Sequence, residues 1–375
     1  MAIEQVRQGH RVDILTTGVV NPLEAKKFPS KLPKIQVHSD GYRILRVRNL
    51  SNAVAYHWKL HLAPELLSFF FHHAHKYDVI HLHEYRTTLN FAAAFFKWRT
   101  RARFLLQPHG VFQNFGGREI FKQIFDFFCK KTIDESVDHL LAISQKEATI
   151  LEQHFPDLST HLIYHGITKP PAAKNQPLID LPKKFLLFVG RIHQVKNLDI
   201  LVKAYTKSNL RKKNIHLVIA GNDDGYLREL QKLVVQSRMQ TYIHYVGPVN
   251  IEEKFQLFRQ ALLNVYVTQD EPFGRVPLEA ASVGCWSIIS RTSGVAELQE
   301  KIDFADCVGS ESISELASAM TTAIKRKKHV SLTDRKAILR LTWKKQAKLL
   351  EKVCRLPRKL GFSRPTLSDV LFSQA

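Results

Sequence analysis

Short runs of Val, Ile, Leu and Phe recur along this chain at Val12 to Leu15, Arg43 to Val47, Asp78 to His83, Phe104 to Gln107 and His139 to Ser144. Longer segments with helical spacing lie among them, at Pro64 to Lys76, Thr87 to Trp98, Arg118 to Ser136 and Gln145 to Phe155. A run that is apolar at every position reads as a strand buried on both faces, and strands alternating with helices imply a parallel sheet covered on both sides. The alternation breaks at the Pro-rich stretch Lys169-Pro170-Pro171-Ala172-Ala173-Lys174-Asn175-Gln176-Pro177, which reads as a linker. It restarts with strands at Phe185 to Gly190, Ile215 to Gly221, Tyr242 to Gly247, Leu262 to Thr268 and Cys285 to Ser290. Helices at about Leu198 to Thr206, Tyr226 to Ser237, Glu252 to Gln260 and Pro277 to Val283 separate them. The expected fold is therefore α/β, with two Rossmann-like doubly wound domains facing a cleft. The first spans 1–168, a linker 169–183 and the second 184–342, followed by a basic helix and tail over 343–375 that can pack back on the first. Ligands of such sheets bind beyond the carboxyl ends of the strands, so the cleft is the expected site.

At 375 residues, 45% apolar and 24% charged, the chain can bury two cores, which excludes the disordered and fibrous classes. Its longest apolar runs fall well short of the roughly 18 to 20 residues that cross a bilayer. No secretory leader is evident, and Cys129, Cys285, Cys307 and Cys354 lie far apart with no CxxC spacing. A zinc site or disulfide framework is therefore not expected, and a reducing cytoplasm is the expected location. The 55 Lys and Arg against 34 Asp and Glu give a net charge of +21, of which the stretch from Arg326 onward, with 14 basic and 3 acidic residues, carries +11. That charge can attract phosphorylated ligands, nucleic acid or an anionic membrane surface. Trp343, Ala347, Leu350 and Cys354 share one side of a helix ringed by Lys344, Lys345, Lys348 and Lys352. It reads first as a terminal helix packed on the body, second as a peripheral membrane contact. No helix-turn-helix or RNA-binding signature accompanies the charge, so a specific nucleic-acid partner is not expected.

The segment Glu271-Pro272-Phe273-Gly274-Arg275-Val276-Pro277-Leu278-Glu279 follows a strand and opens a helix. Proline suits the first helical position, which places Pro277 there and Glu279 near the third. The amides of Phe273, Gly274 and Arg275 can then hold an anion such as a phosphate. A carboxylate beside that phosphate is tolerated if it spends its lone pairs on hydroxyl donors, so Glu279 reads as a ribose clamp. A capping box is the bland alternative, but Val276 stands where that motif needs Ser or Thr. Glu271, in the loop, can face the sugar of a nucleotide sugar. In Gly190-Arg191-Ile192-His193-Gln194-Val195-Lys196-Asn197, Asn197 reads as an N-cap, and Arg191 and Lys196 can neutralise a diphosphate and stabilise it as a leaving group. In the first domain, Gly110 of Gln107-Pro108-His109-Gly110 permits a sharp turn that aims His109 at the cleft; His81, His83 and His165 compete for that role. His81 and His83 share a strand face but lack a third ligand, so no metal is expected. Asp223-Asp224 within Gly221-Asn222-Asp223-Asp224-Gly225 reads as turn chemistry.

With these residues the chain resembles the retaining nucleotide-sugar glycosyltransferases of family four, which have the GT-B fold. The matching pieces are Glu271 and Glu279 at E-x7-E spacing, Gly190-Arg191 with Lys196, Val246-Gly247, Gly294-Val295-Ala296-Glu297-Leu298 and Trp343. The resemblance implies transfer of a hexose from a UDP- or GDP-sugar to a saccharide or lipid-linked acceptor, with retention of configuration and no metal or other cofactor. It also implies roles: Arg191 and Lys196 on the diphosphate, Glu279 on the ribose, Glu271 on the transferred sugar and His109 on a sugar hydroxyl. Gly190, Phe273, Gly274 and Arg275 would complete the donor site, with backbone near Gly221, Gly247 and Pro248 holding the nucleobase. A sugar-nucleotide epimerase or a phosphorylase of the same architecture is the alternative. The family usually opens with a strand and a glycine-rich loop, whereas here Met1 enters partway along the first helix and Gly9-His10-Arg11-Val12 follows at once. An N-terminally shortened form of a longer protein, or an impaired enzyme, is the expectation that follows.

Overall fold

The structure, a computed structural model, describes residues 1–18, 33–52, 54–55, 61–112, 119–173, 181–357 and 371–372. Residues 174–180 of the expected linker, Arg118 of an expected helix and the tail at 358–370 lie outside the described residues. The chain divides into two compact units, Met1–Tyr164 with Lys344–Ala375, and His165–Trp343.

The first unit contains β1 (Asp13–Thr17), β2 (Ile35–Val37), β3 (Arg43–Val47), β4 (Val79–His83), β5 (Arg103–Gln107), β6 (His139–Ala142) and β7 (Thr160–Leu162). The second contains β8 (Phe185–Val189), β9 (His216–Ala220), β10 (Ile243–Gly247), β11 (Leu263–Tyr266), β12 (Ser287–Ser290) and β13 (Ala305–Val308). A last strand, β14 (Leu371–Phe372), returns to the first sheet, whose order is β2-β3-β1-β14-β4-β5-β6-β7. All neighbours there are parallel except β2 and β3. The second sheet is parallel throughout, in the order β10-β9-β8-β11-β12-β13. Both units are thus α/β, as the alternation of runs predicted. In the second, strands are added outward in one direction from β8 to β10 and in the other from β11 to β13, which puts the topological switch point beyond the ends of β8 and β11.

All ten expected strands form. The sequence reading missed β2, β7, β13 and β14, and the helices Ile313–Lys325 and Leu332–Ile338. The three residues of β2 are all exposed and those of β7 half-buried, and β13 reads Ala-Asp-Cys-Val, so none presents a long apolar run. By contrast every residue of β8, β11 and β12 is buried.

One core packs Phe70, Leu82, Phe104, Ile133 and Leu140 in the first unit; another packs Phe185, Leu187, Val218, Phe255 and Phe258 in the second. The helix Trp343–Cys354 lays Leu350 and Val353 against Leu105, Leu141 and Ile163 of the first unit, while Lys344, Lys345, Lys348 and Lys352 stay exposed. Each buried aliphatic side chain there contributes about 2 kcal/mol.

At the carboxyl edge of the second sheet three glycines bring neighbouring backbones together. Gly190 N–H donates to Ala220 O at 2.9 Å and Gly221 N–H to Gly247 O at 2.8 Å. Gly221 adopts φ +148°, and a Cβ on it would lie 1.8 Å from Gly190 O. Gly221→Ala should therefore cost ~3 kcal/mol, through backbone clash and strain. Gly225→Ala, where a Cβ meets nothing within 4 Å and only the φ of +90° is unfavourable, should cost about 1 kcal/mol. Urea unfolding midpoints of the two variants check the contrast; equal losses would contradict it.

Candidate active site

The loop after β8 runs from Gly190 to Asn197. Its Ile192 N–H donates to Asn222 O at 2.8 Å, and His193 Nδ1 accepts from Val195 N–H at 3.2 Å, which starts the short 3-10 turn Gln194–Lys196. That turn aims the buried Lys196 side chain at the loop after β11. There Lys196 Nζ donates to Glu271 Oε2, lies 3.4 Å from Tyr266 OH, and sits 5.5 Å from the Tyr266 ring centroid. Tyr266 OH donates to the same Glu271 oxygen at 3.3 Å. Burial, reinforced by the Glu271 charge, pushes the Tyr266 phenol up, so it remains a neutral hydroxyl donor. A backbone bond from Gln269 N–H to Val195 O, 3.0 Å, ties the two loops together. Sequence spacing brought Lys196 and Glu271 to the same end of the sheet, but not to each other, and gave no sign of Tyr266.

The loop Glu271–Gly274 is held from its other side. Gly294 N–H donates to Glu271 O at 2.9 Å and Val295 N–H to Phe273 O at 2.7 Å, which explains why the Gly294-Val295 segment accompanies this motif. Gly274, at φ +88°, is the N-cap of the helix Arg275–Ser282. The helix therefore starts two residues before the position expected from Pro277, because the left-handed turn at Gly274 initiates it. Glu279 consequently stands in the second turn rather than at the third position. It is buried, and Lys254 Nζ from the helix Ile251–Gln260 donates to Glu279 Oε2 at 2.8 Å. Lys254 was invisible to sequence reasoning because it meets Glu279 only through the packing of two helices.

Asn197 is also corrected. It occupies the N-cap position of Leu198–Lys207 in a left-handed conformation, φ +49°, but its side chain does not cap the helix; Nδ2 donates to Ser310 O at 3.0 Å. Arg191 is largely exposed and pairs with Asp224 Oδ2 at 2.5 Å. Asp223 Oδ1 accepts from the amides of Gly225, Tyr226 and Leu227, turn chemistry as the sequence suggested. Gly247, at φ +78°, ends β10, with Pro248 directly after it.

Phe273 is buried, with its ring edge-on to His165 at 5.7 Å, and His165 faces Trp343 at 5.8 Å. The Arg275 guanidinium lies 5.9 Å over the Trp343 ring. A Cβ on Gly166 would come within 2.4 Å of Trp343 N, so only glycine admits this return of the chain. His165 thus belongs to an aromatic cluster in the second unit.

In the first unit, His109 ends the β5 turn with φ +56°, followed by Gly110 at +86°. The nitrogens His83 Nδ1 and His109 Nε2 are 2.7 Å apart with the rings stacked, and His81 and His83 lie 4.1 Å apart by ring centroids. His81 and His83, two of the competing histidines, therefore form one stack with His109, whereas His165 lies apart from it. Burial lowers the pKa of His81 to about 3 and that of His109 to about 4, so both are neutral at pH 7. Buried Glu147 fixes the turn, accepting from Gly110 N–H at 2.5 Å and Ile143 N–H at 2.8 Å. Among the described residues, no group of three or more His, Cys, Asp and Glu could hold a metal ion, and no helix is long and apolar enough to cross a membrane.

Comparison with known proteins bears on the family and the fold. Residues 1–169 match the Glycosyltransferase Family 4 model, and residues 171–354 match the Glycosyl transferases group 1 model. An uncharacterized glycosyltransferase of Methanocaldococcus jannaschii is 28% identical over 309 residues, 78% of this chain and 75% of that protein. Human alpha-1,3/1,6-mannosyltransferase ALG2 is 28% identical over 181 residues, 43% of this chain and 44% of its own length. Among solved structures, sucrose-phosphate synthase from Thermosynechococcus elongatus superposes with a TM-score of 0.75 at 20% identity, covering 94% of this chain and 90% of that one. Anabaena HepE in complex with UDP and glucose gives 0.65 at 16% identity, covering 92% and 99%. The two family models meet end to end over two α/β units with parallel sheets, and the chain belongs to the GT-B glycosyltransferases.

Proposed function

We propose that the protein transfers a hexosyl group from a UDP- or GDP-sugar to a saccharide or lipid-linked acceptor, with retention of anomeric configuration. The observation that carries this reading is the convergence, at the switch point of the second sheet, of Lys196, Tyr266 and Glu271 with the helix start at Gly274–Arg275 and the buried Glu279. The donor diphosphate takes Lys196, the early amides of the helix and Arg191. Arg191 can turn to it readily, because its exposed pair with Asp224 has little net strength. With Lys196 drawn to phosphate, Glu271 is released to accept from hydroxyls of the transferred sugar. Glu279, steadied through one oxygen by Lys254, accepts from the ribose. Backbone around Gly221, Gly247 and Pro248 receives the base.

Bond-making follows from that arrangement. The bond from the anomeric carbon to the diphosphate oxygen breaks as cationic side chains and helix amides take up the charge that develops on the leaving group. The acceptor oxygen bonds to the same carbon on the same face, and its proton passes to the departing diphosphate. No protein base is needed. The structural neighbour HepE, solved with UDP and with UDP-glucose, supports a nucleotide-sugar donor. His109 serves as a neutral hydrogen-bonding group for a sugar hydroxyl, and the exposed lysines of the Trp343–Cys354 helix would meet an anionic surface if the acceptor is lipid-linked.

Calorimetric titration with UDP- and GDP-sugars should find saturable binding for at least one. Glu279→Ala and Lys196→Ala should each weaken it tenfold or more, about 1.4 kcal/mol. Unchanged affinity in both variants would remove the donor-site assignment.

The histidine assignment carries its own pH test. Burial disfavours the charged imidazole, so folded His109 titrates near 4, below its ordinary value of 6.5. The unfolded chain then binds a proton that the folded one refuses, and stability falls as pH drops from 6.5 towards 4, by up to ~1.4 kcal/mol per pH unit. NMR of the His109 ring, assigned with His109→Gln, should show no titration between pH 5 and 8. An inflection near 6.5 would refute its neutral role.

A further inference from the structure

Tyr266 ends β11 and carries a neutral hydroxyl in among charged side chains. The hydroxyl bonds with Lys196 and Glu271, and Arg191 and Arg275 lie close enough for their charges to act on it. The residue is only 4% exposed, so it acts on a bound ligand through its neighbours rather than by touching it. Its ring is held on three sides. It stacks on Phe188 with centroids 5.9 Å apart and planes 14° apart. A Cβ on Gly190 would lie 3.6 Å from its Cε2, and one on Gly274 would lie 3.6 Å from its Cε1, so these two glycines border the two edges of the phenol. Packing this close leaves the ring little freedom to move.

A phenol hydroxyl can donate one hydrogen bond and accept others. Here it donates to Glu271 Oε2 at 3.3 Å and accepts from Lys196 Nζ at 3.4 Å. Lys196 Nζ also donates to Glu271 Oε2, so the three groups close a triangle. Both bonds to the carboxylate end on Oε2, and among the described residues no side chain donates to Oε1. Burial and the Glu271 charge keep the phenol protonated, so its donor persists when the lysine turns away. A carboxylate held by the lysine alone would then regain its rotamer freedom, at an entropic cost to any ligand that must order it again. Tyr266 prevents this. It is anchored in a buried strand, and a hydrogen bond to an ionised acceptor is among the stronger kinds.

We propose that Tyr266 is a positioning residue: it keeps the Glu271 carboxylate in place after Lys196 has left it for the diphosphate, so that Oε1 meets the hydroxyls of the transferred sugar. The inference rests on the donor reading given above, and adds to it a residue through which the site distinguishes a sugar nucleotide from the bare nucleoside diphosphate.

Calorimetric titration of the wild-type protein and of Tyr266→Phe with UDP-glucose, GDP-mannose, UDP and GDP forms a cycle between the hydroxyl and the sugar. Phenylalanine keeps the ring against Phe188 and removes only the hydroxyl. Binding of the sugar nucleotide should weaken about tenfold, the order expected for a hydrogen bond to a charged group, while UDP or GDP should change less than about threefold. Equal weakening of both kinds of ligand would show a merely structural role and overturn the proposal, and so would no change in either; wild-type binding of the sugar nucleotide would still leave the donor reading standing. If the wild-type protein binds none of the four, the donor reading falls and the proposal falls with it. A crystal of the wild-type protein with its sugar nucleotide applies the test without a substitution. Tyr266 OH should keep its 3.3 Å bond to the Glu271 carboxylate while Lys196 Nζ lies on phosphate. A carboxylate that binds the sugar after parting from the phenol would overturn the proposal.

Discussion

The ion pair between Lys196 and Glu271 is the interaction on which the second unit's site depends. Both groups sit largely out of water, with side-chain exposures of 10% and 19%, and they come from loops that follow different strands. Desolvating two charges is costly unless geometry and further hydrogen bonds compensate. Tyr266 supplies one such bond, and the backbone link from Gln269 to Val195 holds the loops in register. Removing either partner would strand the other charge, a loss of about 3–5 kcal/mol in comparable buried pairs. The pair also shapes what the site can accept. A simple anion that took Lys196 would leave Glu271 facing negative charge; a neutral sugar alone gives Lys196 no reason to move. A sugar diphosphate brings charge for the lysine and hydroxyls for the carboxylate, so the proposed donor can replace both halves of the pair at once.

The two glutamates of the E-x7-E spacing live in different surroundings. Glu271 lies in a loop, anchored through its backbone carbonyl to Gly294 and through its carboxylate to a lysine and a phenol. Glu279 lies inside the second turn of a helix, almost wholly buried, with Lys254 on one oxygen. The first can reorganise when Lys196 is drawn away; the second is fixed by helix packing. That division suits the roles proposed above, a flexible contact for Glu271 and a rigid one for Glu279.

Much of this was legible in the chain, for identifiable reasons. Central strands such as β8, β11 and β12 are buried on both faces and announce themselves as unbroken apolar runs. Edge strands β2 and β7 are short and exposed or half-exposed, so no such run exists to find. A helix start near Gly274 and Pro277 was legible, but proline preference favoured the wrong first residue, since positive φ at Gly274 begins the helix. Partners were the least legible. Lys254 to Glu279, Tyr266 to Glu271 and Glu147 to Gly110 bridge separations of 25, 5 and 37 residues, and only the packed fold decides them. Asn197 illustrates the converse: a good N-cap residue type spent on a distant carbonyl, Ser310 O.

The two units differ in what they present beside their strand ends. At the second sheet the residues are ionic: Lys196, Arg191 and Arg275, with Glu271 and Glu279 among them. After β4 and β5 the first unit presents a stack of histidines, two of which burial keeps neutral, in a turn clamped by a buried glutamate that spends its oxygens on backbone amides. A neutral imidazole can orient a hydroxyl but cannot offset a phosphate. Charge compensation for the proposed diphosphate therefore rests on the second unit's residues, and the neutral histidines of the first unit keep their charge state across the physiological pH range.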